Sequence, residues 1–125
     1  MCKTGGPSGT YAVSPAVTIN CAYGMVSVNL ASVTFADNGS TLTITPAING
    51  CCTLTGDSAA DGAFDTTCTC PVQGGMGCTE TYRLKGTWSG NSWTGTFSAT
   101  FTSVPAGYGF CFDCTSLSRT VSGTR

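Results

Sequence analysis

Polar and apolar residues alternate along most of this chain. Alternation puts every second side chain on one face of an extended strand, and no window shows the three-to-four-residue apolar spacing of a helix. The first hairpin is expected to turn at Gly24-Met25, where glycine supplies a positive φ. That register sets Tyr23 opposite Val26, Cys21 opposite Val28 and Ile19 opposite Leu30. The second is expected to turn at Asn38-Gly39, pairing Phe35 with Leu42 and Val33 with Ile44. The third and longest turns at Gly90-Asn91 and sets Trp88 against Trp93, Gly86 against Gly95, Leu84 against Phe97 and Tyr82 against Ala99. Its opposite face carries Thr, Ser, Arg83 and Lys85. Further strands are expected at 51–55, 63–70 and 115–122. The apolar phase slips by one between Leu30 and Ala31, which predicts a bulge or a sharp bend.

The expected fold is all-β: an antiparallel meander of eight or nine strands in one domain over residues 10–125. A flexible Gly/Pro/Ser tether at 1–9 precedes it. A meander with one apolar face must close into a barrel or fold over as a sandwich. Paired Gly86 and Gly95 on the apolar face favour strong curvature, and so a closed or nearly closed barrel over the β-sandwich.

Composition removes several function classes. The chain has 125 residues, 22 of them Thr and 13 Ser, with 9% charged residues, a net charge of −1 and no histidine. Five scattered cations cannot supply the phosphate contacts of a nucleic-acid site. Without histidine there is no Ser-His-Asp or Cys-His pair, so the reading is non-enzymatic, with no cofactor. No apolar run approaches the ~20 residues of a membrane-spanning helix. Met1 leads straight to Cys2 without a leader pattern, so the chain reads as a mature form with an added start methionine.

The nine cysteines change the picture most. Cys51-Cys52, Cys68-x-Cys70 and Cys111-x-x-Cys114 have spacings that thiolate metal clusters also use. In a chain poor in Lys and Glu and rich in Thr and Gly, oxidation to disulfides is the expected state, in an extracellular or periplasmic compartment. Eight cysteines allow about a hundred pairings. Short loops favour Cys70–Cys78 and Cys111–Cys114, the strands flanking the acidic loop favour Cys52–Cys68, and Cys21 is left for Cys51.

Other candidate chemistry is sparse. Asp57, Asp61 and Asp65 surround one loop but match no calcium-loop spacing, so they read as solvated turn residues. Glu80 falls opposite Phe101 in the third register, where burial would raise its pKa; a wet strand end is the simpler placement. Thr-x-Thr pairs recur without the fixed period of a flat ice-binding face.

Trp88 and Trp93 flank a tight turn and therefore sit at one end of the sheet. As a barrel mouth they would rim a site with Tyr82, Leu84 and Phe97 deeper inside, and the paired glycines would leave room between the layers. Its ligand would be small and neutral, apolar or a sugar ring. As a cross-strand pair sealing the core they would leave no chamber, and the domain would serve a purely structural or protein-interaction role.

Cys2-Lys3 followed by a Gly/Pro/Ser stretch resembles the mature start of a bacterial lipoprotein. Cys78-Thr79-Glu80-Thr81-Tyr82, Gly86-Thr87-Trp88-Ser89-Gly90-Asn91-Ser92-Trp93-Thr94-Gly95-Thr96-Phe97, Cys111-Phe112-Asp113-Cys114 and Val121-Ser122-Gly123-Thr124-Arg125 resemble small Cys/Thr-rich bacterial envelope lipoproteins. The resemblance implies no activity. It implies a lipid anchor on Cys2, peripheral attachment to a membrane and a periplasmic or outer-membrane location, and it leaves eight cysteines to pair.

Overall fold

Eight strands close into a barrel in this computed structural model, which describes residues 7–21, 26–59, 61–70, 77–104, 107, 109, 111 and 114–125. They are β1 (Gly9–Asn20), β2 (Ser27–Asp37), β3 (Thr41–Ile48), β4 (Cys52–Asp57), β5 (Ala63–Cys70), β6 (Gly77–Ser89), β7 (Ser92–Val104) and β8 (Leu117–Thr124). Each pairs antiparallel with the next, and β8 returns to β1. The sandwich alternative is thereby replaced by closure. Alternation does the sorting: Tyr82, Leu84, Trp93, Phe97 and Ala99 point inward while Arg83, Lys85, Thr94 and Thr100 point out.

The third hairpin has the expected register throughout, including Trp88 opposite Trp93. The second turns one residue later, at Gly39-Ser40, so Phe35 faces Ile44 and Asp37 faces Leu42. The side chains before the turn account for the shift. Asp37 accepts from Gly39 N (2.8 Å) and Asn38 Oδ1 accepts from Ser40 N and Thr41 N (2.9 and 2.8 Å), satisfying the turn amides locally. In the first hairpin Ile19 faces Val28 and Val17 faces Leu30. That is a two-residue slip from the expected pairing, and it keeps every side chain on its face. The turn at Gly24-Met25, with Tyr23, lies outside the described residues. Order also begins earlier than residue 10: Pro7 is fully buried and its carbonyl accepts from Tyr11 Oη at 2.5 Å.

The wall is uneven. β6 and β7 share thirteen residue pairs, β1 and β8 only three, and β4 and β5 are bridged by Thr55 and Thr67 alone. Pairing of β1 with β2 breaks between Ala12 and Val17, opposite Ala31, where two successive residues, Ala31 and Ser32, are exposed. The phase slip visible in the sequence is this bend.

The two ends of the barrel are closed by different chemistry. The turns at 38–40, 58–62 and 90–91, with the start of β1 and the end of β8, gather at one end beside an aromatic cluster; all four disulfides lie at the other. They are Cys21–Cys114, Cys51–Cys70, Cys52–Cys68 and Cys78–Cys111. Cys52–Cys68 is the expected pair. The other three correct the expectation, because short-loop reasoning omits barrel closure. Closure brings the end of β1 to the start of β8, so Cys21 meets Cys114 and not Cys51, across 93 residues of sequence. Cys70 lies opposite Glu80, beyond reach of Cys78 along that ladder, and pairs with Cys51 beside the Cys52–Cys68 bond. Cys111 and Cys114 share a tight turn, Cys114 N to Cys111 O at 2.8 Å, and their side chains leave it in different directions. Cys2 lies outside the described residues.

Candidate functional site

The aromatic end was the first candidate. Trp93 is 2% exposed and stacks on Phe35 at 5.6 Å, with Phe64 edge-on at 5.8 Å and Tyr11 at 6.3 Å. Trp88 is half-buried; its Nε1–H donates to Ala59 O at 2.6 Å and its backbone N–H to Gly62 O at 2.9 Å. Ala59 is fully buried and seats the 58–62 loop on the barrel end. The Asp37 carboxylate pins that loop, accepting from Ala59 N (2.7 Å) and Ser58 Oγ (2.8 Å) as well as Gly39 N. Deeper in, Tyr82 stacks on Phe97 at 6.1 Å, and Tyr82, Leu84 and Phe97 are 0–2% exposed. The structure thus brings Trp93, Tyr82, Leu84 and Phe97 into one core, with Trp88 packed against its edge. The space expected at the paired glycines is occupied by main chain: a Cβ on Gly86 would lie 2.1 Å from Thr94 O, and one on Gly95 2.3 Å from Lys85 O. What remains at the tryptophans is a shallow outer cleft of about 180 Å³.

Glu80 is a second correction. It is 8% exposed, opposite Phe101 on the inward face. Its Oε1 accepts from Tyr82 Oη at 2.5 Å and Asn49 Nδ2 at 2.9 Å. Burial, then the bond to Glu80 and its charge, push the Tyr82 phenol far above its ordinary value. The pair holds the core of the disulfide end together, and both bonds fall on a single oxygen.

The outer wall carries a site the sequence did not single out. Of the charged side chains described, Asp37 and Glu80 turn inward, Arg125 binds the turn at Asn91, and Arg119 stands on β8. The other five line two adjoining hollows. Asp57, Asp61 and Asp65 face Lys85 over Ala63, Phe64 and Gly86, enclosing about 520 Å³. A neighbouring hollow of about 420 Å³ shares Asp57 and Asp65 and runs across Gly56 to Arg83. Arg83 grips Asp65 with two bonds, Nε to Oδ1 at 2.8 Å and Nη2 to Oδ2 at 2.5 Å. Those bonds hold the Asp65 carboxyl below the usual carboxylate range, against a smaller opposing effect of burial. Both side chains are about half exposed, so the pair contributes orientation more than stability. Among the described residues, no three carboxylates or thiols are grouped as metal ligands.

No family model, curated protein or solved structure matches this chain.

The groove escaped the sequence because it needs two registers at once. Lys85 and Arg83 were legible as outward residues of β6, and the three aspartates as loop residues. Only the pairing of β5 with β6, which puts Asp65 beside Lys85, joins them, and the Gly-rich sequence between these strands allows more than one register.

Proposed function

We propose that this chain is a non-catalytic, disulfide-stapled barrel that acts through its outer wall as a structural or protein-interaction domain. The observation that carries this is the filled interior: Trp93, Tyr82, Leu84 and Phe97 are each no more than 2% exposed, and the paired glycines bring strands together. The concentration of Asp57, Asp61, Asp65, Arg83 and Lys85 around two adjoining hollows, on a wall rich in hydroxyl side chains, suits a partner with charges of both signs. The four disulfides fit an oxidising compartment. Within it we place the protein at the bacterial envelope or outside the cell, attached through a lipid on Cys2. All eight described cysteines pair among themselves, which leaves Cys2 available for such a group. Expression with the native leader and mass analysis of the amino-terminal peptide tests the anchor; an unmodified Cys2 rejects it.

Titration with an apolar fluorescent dye and with neutral mono- and disaccharides, read by tryptophan emission and calorimetry, tests the filled-core reading. No saturable binding tighter than about 1 mM is expected. Saturable binding that moves the Trp93 emission would reinstate a small-ligand carrier.

A further inference from the structure

The hairpin of β1 and β2 belongs to the wall for only half of its length. Near the aromatic end, β1 pairs with β8 at 12–14 and β2 pairs with β3 at 34–37. Beyond the bend, residues 17–20 pair with 27–30 and, among the described residues, have no ladder partner on either outer flank. Both strands change character at the same level: β1 has no ladder partner at 15–16 and β2 none at Ala31. Yet the arm so formed is not loose. Val17, Ile19, Cys21, Val26, Val28 and Leu30 are 1–8% exposed and belong to the same core as the rest of the barrel. A two-stranded arm that buries this face without main-chain bonds to a neighbouring strand is a cover over the disulfide end.

Among the described residues, two ties hold the arm at Cys21 and Ser27. One is the Cys21–Cys114 bond. The other is polar: Ser27 N–H donates to Asn49 Oδ1 at 3.0 Å, and the Asn49 amide is seated on Glu80 at 2.9 Å. We propose that this arm is a hinged flap, turning at 15–16 and 31, and that the Cys21–Cys114 bond is the bolt that keeps it shut. Ladder bonds to both neighbours make a barrel strand cooperative with the wall. The arm has such bonds only within itself and can leave as a unit with its own ladder intact. The remaining disulfides do not hold it: Cys51–Cys70 and Cys52–Cys68 join the β4 and β5 ends, and Cys78–Cys111 ties the β7–β8 connection to β6. Cys21–Cys114 is the one disulfide of the four with a half in the arm. An open flap uncovers its own aliphatic face and the core beneath it.

Amide exchange followed by NMR on the whole chain reads this directly. In the wild-type protein, amides at 17–20 and 27–30 are expected to exchange at least ~10-fold faster than those at 82–86 and 93–97. Equal rates would overturn the proposal, whatever any variant does. In the double variant Cys21→Ser/Cys114→Ser, with the other three disulfides confirmed by mass, arm exchange rises by a further ~10-fold or more. An apolar dye is bound, and the β6–β7 amides stay as they were. Unchanged arm exchange, or equal acceleration of β6 and β7, makes arm and wall one unit and overturns it. Cys52→Ser/Cys68→Ser is the comparator: it should loosen β4 and β5 and leave the arm closed, and an arm freed equally there would show that Cys21–Cys114 is not the bolt.

Discussion

Gly86 and Gly95 face each other across β6 and β7 so closely that a methyl group on either would sit 2.1 to 2.3 Å from a carbonyl oxygen of the other strand. Absence of side chains here is a condition of the strand crossing. Gly95→Leu should therefore destabilise the fold by at least about 3 kcal/mol. Gly90→Ala, at a turn with φ of 62° and no atom within 4 Å of the new Cβ, should cost only about 1 kcal/mol. Urea unfolding of the two variants checks this, and a well-folded Gly95→Leu protein would contradict it.

Asp37 predicts the acid behaviour. Burial raises its carboxyl pKa, but the bonds from Gly39, Ala59 and Ser58 outweigh burial and leave it below the ordinary value. The fold therefore favours the charged form. That stabilisation is complete above the unfolded-state value of about 3.9 and is lost as pH falls through the lower folded value. Asp37→Asn should cost about 1–2 kcal/mol at neutral pH and flatten the loss of stability below about pH 4. A variant with the wild-type acid slope would place that slope elsewhere.

At the alkaline side the sign reverses. Tyr82 is held neutral, by burial first and then by Glu80, so its contribution is present below about pH 10 and lost as pH rises beyond it. Phenolate absorbance should show Tyr82 ionising only as the barrel unfolds. Tyr82→Phe should remove that late component and cost about 1–2 kcal/mol, because buried Glu80 loses a donor.

Arg125 ties the last strand across the aromatic end. It donates to Gly90 O at 2.9 Å and Asn91 Oδ1 at 3.2 Å, binds Ser8 O, and lies 5.2 Å over the Tyr11 ring. With only three residue pairs joining β1 to β8, Arg125→Ala should lower stability by about 1–2 kcal/mol. Exchange at residues 12–14 should rise more than at β6 or β7, and uniform acceleration would deny the seam its dependence on this side chain.

Much of the fold was legible because two signals agreed. In the hairpin from Tyr82 to Ala99 the turn chemistry of Gly90-Asn91 and the alternation of large apolar residues specify one register, and that register is present throughout. At Asn38-Gly39 they did not agree: side-chain capping by Asp37 and Asn38 moved the turn by one residue, an effect no face pattern can report since both registers bury the same residues. Cys21 meeting Cys114 was illegible for a different reason. It depends on the first and last strands meeting, a property of the closed sheet and of no local segment. The burial of Glu80 is not legible locally, because its partner Asn49 sits 31 positions away on the turn after β3.

The Cys21–Cys114 bond and the pairing of Ala12 with Thr124 also set a timetable for synthesis. Strands β1 to β7 can pair with their neighbours as they emerge, but β1 keeps a bare edge until β8 has been made. During synthesis the chain therefore passes through a stage in which an incomplete, curved sheet presents main-chain donors and acceptors to any passing strand. How long that stage lasts depends on how fast residues 114–124 follow the rest, so chains stalled before this segment are the ones expected to need a chaperone or to aggregate.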